Sequence, residues 1–143
     1  MTGEFTIAVH ALVYLNHKKK MISSDELAKN VCTHPARIRK VMAKLKKAEL
    51  LTTKEGAEGG YFFLLDPRKV TLRMISEAIG EPIVAASWRS GNADMECLIA
   101  SGMASVMDGI YADLDAVCRR QMEKTTIADI DRVIFEEKEK TGT

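Results

Sequence analysis

The chain has 143 residues, a formal net charge of +1 and an apolar share of 46%. This length suits one compact module with an appendage, and the apolar share excludes a disordered chain. The sequence contains no apolar run of about 18 residues and no secretory leader, so we expect a cytoplasmic protein without a membrane span.

Charge is unevenly distributed along the chain. Residues 1–70 contain 13 Lys and Arg against 7 Asp and Glu, whereas residues 71–143 contain 8 against 13. The net charges of the two halves are therefore +6 and −5. This asymmetry favours a polyanionic partner for the first half, although solvated surfaces on both halves explain it equally well.

The first two predicted helices follow from apolar spacing and from a capping pattern. Apolar residues from Phe5 to Leu15 recur at helical spacing, which predicts a helix that ends near residues 17–20. Ser23 and Glu26 form a capping box, in which the hydroxyl and the carboxylate both accept from free backbone N–H groups at a second helix start.

A third helix is predicted from about His34 to Ala48. Thr33 is a good N-cap residue, and Pro35 in the first turn costs no intrahelical hydrogen bond. The second and third helices, joined across residues 31–33, form a helix-turn-helix.

A β-hairpin, a short helix and an irregular connector come next. The β-prone segments 50–53 and 61–65 flank a loop whose glycines supply the positive φ angles that a hairpin needs. Thr71 caps a short helix that ends at Gly80, and residues 81–94 are interpreted as a connector.

The longest amphipathic segment follows the connector. Its apolar stripe, spaced by three and four residues, consists of Ile99, Met103, Val106, Ile110, Leu114 and Val117. A single copy has little against which to bury this stripe, so a homodimer is the economical solution, and folding back onto its own domain is the alternative. The acidic residues of this segment, Asp115 among them, are interpreted as its solvated side.

The predicted fold class is therefore mainly α with a small β-hairpin wing. Residues 1–82 are predicted to form a winged helix-turn-helix DNA-binding domain. Residues 83–143 are predicted to form the connector, a long dimerisation helix and a C-terminal helix that begins after Thr126.

The third helix has the composition of a DNA-recognition helix. Its apolar positions share one face of a helical wheel with about 100° per residue, and cationic side chains occupy the rest. Lysine and arginine reach phosphates, whereas residues near the helix start enter the major groove and read bases. The predicted contacts of this helix are His34, Ala36, Arg37, Arg39, Lys40 and Lys44. Arg39 is the candidate for a bidentate contact to guanine.

Functions other than DNA binding have weaker support in the sequence. The sequence contains no phosphate-binding glycine loop, nucleophile elbow, Cys-x-x-Cys pair or His-Glu-x-x-His helix, so we predict no enzyme activity. Cys32 and His34 without a second ligand pair are weak evidence for a metal, and we predict no metal site and no cofactor. The strongest rival is a winged-helix module that binds a partner enzyme through its acidic half.

The sequence resembles the Rrf2 family of winged-helix regulators, the family of IscR, NsrR and CymR. Four segments are similar to that family and span most of the chain: SSDELAKNV, PARIRKVMAKLKKAELL, GGYFFL and TLRMISEAIGEP. The resemblance implies a homodimer on a double-stranded DNA operator, with two recognition helices about one DNA turn, roughly 34 Å, apart.

Two features depart from the family pattern. Many relatives insert a wing arginine into the minor groove, but Glu55 stands at that place, which the negative potential of the groove would repel. Lys54 and Tyr61 are left as the expected wing contacts to the DNA backbone. Iron–sulfur members hold their cluster with three closely spaced cysteines, whereas Cys97 stands alone at the start of the long helix.

The cysteines resemble the thiol-responsive HypR branch of the family, in which oxidants or electrophiles switch the protein through a disulfide. Cys32 lies in the helix-turn-helix turn, and Cys97 lies near a helix start, where the helix dipole lowers a thiol pKa. In a dimer of this kind the resemblance implies that Cys32 meets Cys97 of the other subunit. The alternative is that both are small buried hydrophobic residues.

These expectations combine into one predicted function. We expect a DNA-binding transcriptional regulator, a repressor, whose operator binding is modulated by oxidation of Cys32 and Cys97. A regulator of the same family that responds to a small-molecule ligand is the alternative.

Overall fold

The computed structural model describes the backbone of residues 3–140 and the side chains of residues 3–136. Within that range the elements are α1 (Glu4–Lys18), α2 (Ser24–Val31), α3 (Pro35–Lys47), β1 (Thr52–Lys54), β2 (Gly60–Phe62), α4 (Leu72–Ile79), α5 (Leu98–Met122) and α6 (Ile127–Lys140). The predicted class, mainly α with one small hairpin, is confirmed. The domain boundary near residue 82 stays a prediction, and the extreme residues of both predicted domains lie outside the described range.

One hydrophobic core lies at the centre of the first 80 residues. Buried apolar side chains of α1, α2, α3 and α4 form it together with the base of the hairpin. Ile38, Met42 and Leu45 of α3 are fully buried, as the helical wheel predicted. This packing fixes α3 against α1 and α2 and turns its other side toward solvent.

The start of α2 forms half of the predicted capping box. The Ser23 hydroxyl accepts from the Glu26 N–H at 3.1 Å, as predicted. The Glu26 carboxylate instead accepts from the Tyr14 hydroxyl at 2.8 Å. Glu26 therefore ties α2 to α1 through a long-range contact that the local pattern does not reveal.

Cys32 is the first residue of the turn between α2 and α3. This residue is the C-cap of α2 in the left-handed region, with φ at 63°. The Thr33 N–H then donates to the Ala28 carbonyl at 3.0 Å, which satisfies a free carbonyl at the helix end. Since left-handed φ favours glycine, Cys32 sits under mild backbone strain.

The predicted N-cap of α3 is wrong by one residue. His34, not Thr33, occupies the N-cap position with extended backbone angles, and Pro35 is the first helical residue. A residue that precedes proline is driven out of the helical region by the proline ring, so Pro35 decides where the helix begins.

The hairpin strands are shorter and placed differently than predicted. Three residues on each side pair, with Thr53 opposite Tyr61, whereas the apolar residues 50–51 and 63 enter the core instead. Within the loop only Gly56 has positive φ, at 109°. Gly60 is required for another reason, because a side chain there would approach the Ile22 carbonyl oxygen to 2.5 Å.

Helix α5 stands apart from the core, whereas α6 returns to it. None of the side chains of α5 is buried, and the predicted stripe from Ile99 to Val117 is exposed. Thr126 and Asp129 cap α6 reciprocally, at 2.9 and 3.2 Å, and Ile127 is fully buried in the core. No helix within the described range is both long and apolar enough to cross a membrane.

Candidate DNA interface

The solvent-facing side of α3 is the centre of the candidate interface. Opposite the buried Ile38 and Leu45, the wheel places four exposed residues, Ala36, Lys40, Ala43 and Lys47. Two small residues and two long cations therefore alternate along this ridge. Small side chains leave room for the close approach of a duplex, and lysine side chains are long enough to reach phosphates on either side of it.

One flank of α3 faces the start of α1. The Arg37 guanidinium lies against Gly3, where a side chain would meet it at 2.7 Å. Glu4, only 6% exposed, pairs with Lys40 at 3.3 Å and with Lys44 at 2.7 Å. The Lys44 ammonium lowers the pKa of the Glu4 carboxyl, against the opposing effect of burial. Two predicted contacts, Lys40 and Lys44, thus lie beside one carboxylate.

The other flank of α3 faces the wing across a polar cleft of about 460 Å³. Arg39 and Lys46 line it from α3, and Lys54 and Tyr61 line it from the hairpin. Burial raises the pKa of the Tyr61 hydroxyl, which Arg39 partly offsets. The Tyr61 backbone exchanges hydrogen bonds with Ile22 at 3.0 and 2.8 Å, so the wing is attached to the body beside α3.

Acidic residues share this cleft. Asp25 and Glu55 line the same space as the cations of α3 and the wing. Glu55 is exposed. Three cations and two carboxylates therefore share the cleft, so its net charge is only weakly positive.

The predicted contacts fall into two groups in the structure. Arg39, Lys54 and Tyr61 lie together at the wing cleft, and Arg37, Lys40 and Lys44 lie together beside α1. His34 and Ala36 are exposed at the helix start. Lys46 and Lys47, absent from the predicted set, are exposed without an ion pair among the described residues. The sequence shows that both residues are cations, but only the tertiary structure shows that neither forms an ion pair with another described residue.

The two cysteines of interest are exposed free thiols. Cys32 donates to the Lys29 carbonyl at 3.7 Å, within the turn that precedes α3. Cys97 is the N-cap of α5, and the N–H groups of Ala100 and Ile99 lower the pKa of its thiol. The reading of both as buried hydrophobic residues is therefore wrong, whereas Cys118 is half-buried.

The donor residues do not fit a bound iron centre. Across the described part of the chain, no three side chains of His, Cys, Asp or Glu lie close enough together to hold a metal ion. Cys97 belongs to no such group of donors.

Comparisons with known proteins agree with this architecture. A Bacillus subtilis (strain 168) protein, YwnA, proposed to be a helix-turn-helix transcriptional regulator, is 22% identical over 94% of this chain and 99% of its own length. The crystal structure of a proposed transcriptional regulator from Lactobacillus plantarum superposes with a TM-score of 0.79, at 24% identity and full coverage of both chains. The structure of CymR, the global cysteine regulator of B. subtilis, superposes with a TM-score of 0.66, at 16% identity and coverage of 93% and 96%.

The family assignment rests on nearly the whole chain. Residues 1–132 match the Rrf2 family, which is described as iron-dependent transcriptional regulators. The match covers the helix-turn-helix, the wing, the connector and the long helix together. The chain therefore belongs to the Rrf2 family of transcriptional regulators.

Proposed function

We propose that this protein is a homodimeric repressor that binds an operator in the cytoplasm and whose DNA affinity is modulated by oxidation of Cys32 and Cys97. One observation carries the DNA-binding part: the exposed side of α3, with Lys40 and Lys47, lies next to a cleft that Arg39, Lys46 and Lys54 line and that the wing completes. Helix and wing then contact the same stretch of duplex.

The proposed contacts divide by chemistry. His34, Ala36 and Arg37 stand at the start of α3, which enters the major groove, and Arg39 on the wing side is the candidate for guanine. Lys40 and Lys44 were predicted to bind phosphates, as were Lys54 and Tyr61 of the wing. We add Lys46 and Lys47, because both are exposed cations of the same helix.

The dimer is proposed from the exposed stripe of α5. Ile99, Val106 and Val117 are each more than half exposed, although the helix that bears them is 25 residues long. Full burial of each side chain of this kind stabilises a folded protein or a dimer by about 1.5–3 kcal/mol. Burial of the stripe in an interface is therefore favoured over its exposure to water. A second copy of α5 covers it and sets the spacing of the two recognition helices.

The redox part is proposed from the chemistry of the two thiols. Cys97 is exposed with a lowered pKa, so its nucleophilic thiolate is more populated at neutral pH than that of an ordinary cysteine. Hypochlorous acid takes two electrons from the Cys32 and Cys97 thiols, forming one S–S bond, chloride, water and a proton. Since Cys32 is the first of the three residues between α2 and α3, a disulfide to the partner subunit would reorient α3.

Binding to a duplex that contains the gene's own promoter region tests the regulator. We expect binding at low salt that weakens steeply as salt rises, with a log–log slope near −0.9 per phosphate neutralised. A module that binds a partner enzyme instead would leave the duplex unbound at low salt, and that result ends the proposal.

Oxidation is tested separately with hypochlorite on the parent, on Cys32→Ser and on Cys97→Ser. We expect a cross-linked dimer on a non-reducing gel for the parent alone, together with a changed DNA affinity that a thiol reductant reverses. A parent that stays monomeric on the gel contradicts the disulfide and leaves the DNA-binding proposal standing.

A ligand-responsive regulator is the alternative, and one observation favours it. An open apolar groove of about 670 Å³ lies between α1 and α6, a size typical of small-molecule sites. The doubly substituted Cys32→Ser, Cys97→Ser chain separates the two functions. If the DNA binding of the parent and of this variant responds equally to small apolar compounds and neither responds to oxidant, the ligand function replaces the redox function.

A further inference from the structure

Glu4 is an unusual residue for the body of a DNA-binding domain. Its side chain is 7% exposed, in the first turn of α1, and its two carboxylate oxygens face separate lysines of the recognition helix. These lysines, Lys40 and Lys44, are two of the predicted phosphate contacts. A buried carboxylate therefore pairs with two lysines that were expected to bind DNA phosphates.

The two lysines are not equivalent in this arrangement. The Lys44 side chain is 32% exposed and its ammonium lies 2.7 Å from Glu4, a short charge-assisted hydrogen bond. The Lys40 side chain is 68% exposed and lies farther away, at 3.3 Å. Lys44 is thus held against the body of the domain, whereas Lys40 remains on the outer ridge.

Moving Lys44 to a phosphate would be costly. A buried carboxylate that loses its main cationic partner keeps its desolvation penalty, because water does not replace the lost contact at a nearly inaccessible site. On the helical wheel Lys44 lies only about 40° from Lys40, so direction does not separate the two lysines. The nearly inaccessible carboxylate partner is what keeps the Lys44 ammonium away from the duplex.

We propose that Glu4 is a positioning residue for the DNA interface, which holds Lys44 to α1 and thereby leaves phosphate binding by α3 chiefly to Lys46 and Lys47. Lys40 also pairs with Glu4, so we expect it to contribute less to phosphate binding than a lysine without such a partner. This proposal rests on the proposed DNA binding. It differs from the composition-based expectation in removing Lys44 from the interface.

Salt dependence of binding to a 40-base-pair duplex of arbitrary sequence tests the assignment, because each neutralised phosphate contributes about 0.9 to the slope of log affinity against log salt. The variants are Lys44→Met and the matched control Lys47→Met, each made in the parent and in the Glu4→Gln background. Methionine keeps most of the apolar stem and removes the charge. Circular dichroism confirms that each variant is folded.

The expected result is an unequal effect of the two lysines. Lys47→Met lowers the slope by about 0.9 in both backgrounds. Lys44→Met lowers it by less than half of that in the parent and by about 0.9 in Glu4→Gln, where the lysine is released. A glutamate with a purely structural role would leave all slopes the same in both backgrounds.

Two outcomes overturn the proposal. One is an equal loss of slope for Lys44→Met and Lys47→Met in the parent, which makes Lys44 a phosphate contact. The other is a loss of slope for Lys44→Met that is the same in the parent and in Glu4→Gln. If Glu4→Gln does not fold, the comparison of these two substitutions in the parent alone still decides the question. A parent that shows no binding at low salt instead refutes the proposed function itself.

Discussion

Asp115, in the middle of α5, accepts a hydrogen bond from the Val84 N–H at 2.9 Å through the oxygen that also accepts from Ile83 at 2.7 Å. The other oxygen accepts from Arg119 at 2.9 Å. These bonds from Val84, then Arg119 and Ile83, hold the pKa of the Asp115 carboxyl below its usual value against burial. The interpretation of Asp115 as a solvated residue is therefore wrong, and the connector is attached to α5 at this point.

Replacing Asp115 by alanine should destabilise the connector. The substitution leaves two half-buried N–H groups without an acceptor, which costs about 1–3 kcal/mol for each group that water cannot reach. For a chain of this size we expect the melting temperature to fall by several degrees. Thermal unfolding followed by circular dichroism measures it, and Asp94→Ala, an exposed acid of the connector, is the control. Equal melting temperatures for the two variants would contradict the anchoring role.

Gly91→Ala should destabilise the other end of the connector. Gly91 has φ at +66°, and a methyl group there would overlap the carbonyl oxygen of Ala100. The Asn92 N–H donates to that same carbonyl at 3.0 Å, so the backbone has no room to move away. We expect a loss of more than 1 kcal/mol in the free energy of unfolding, measured by urea titration. Gly80→Ala, also at positive φ but in open space, separates backbone strain from overlap.

Ile110→Asp should dissociate the proposed dimer. The side chain lies in the exposed stripe of α5, and a carboxylate buried against a second copy would cost several kcal/mol. We expect the dissociation constant, measured by analytical ultracentrifugation, to rise at least about 100-fold. Ala112→Asp adds the same charge to an exposed position on the opposite side of the helix. If both variants dimerise like the parent, the interface lies elsewhere.

The Cys97 thiol should react at lower pH than an ordinary cysteine. Its pKa is lowered from 9.0 because the N–H groups of Ala100 and Ile99 stabilise the thiolate. In a Cys32→Ser, Cys118→Ser chain, the rate of iodoacetamide alkylation as a function of pH should have its midpoint below that of the same chain in urea. Coincident midpoints would show that the folded structure does not lower the pKa of the Cys97 thiol.

Acid should weaken the contact between Glu4 and α3. The pKa of Glu4 is lowered from 4.5 in the folded chain, chiefly by Lys44, so its carboxylate stabilises the fold above that pH. This stabilisation is lost as pH falls from about 4.5 through the folded-state pKa. The difference in unfolding free energy between the parent and Glu4→Gln should therefore shrink over this range. A difference that stays constant would show that the charge of Glu4 contributes nothing.

Much of the fold was accessible from local patterns. The apolar spacing of Phe5–Leu15, the Ser23 and Thr71 caps and the exposed cations of α3 all depend on residues within a turn or two of one another. Errors occurred where one local signal competed with another. Pro35 overrode Thr33 as the determinant of the start of α3, since a proline ring restricts its predecessor more strongly than a hydroxyl attracts an N–H.

The sequence by itself determined the helices, the helix-turn-helix and the cationic character of α3, because periodicity and capping act over a few residues. Only the tertiary structure decided which of those cations are available to DNA. Glu4 and Lys44 are 40 positions apart, and they meet because the core packs α1 against α3. Charge composition records that a lysine is present, whereas burial beside a carboxylate determines what that lysine binds.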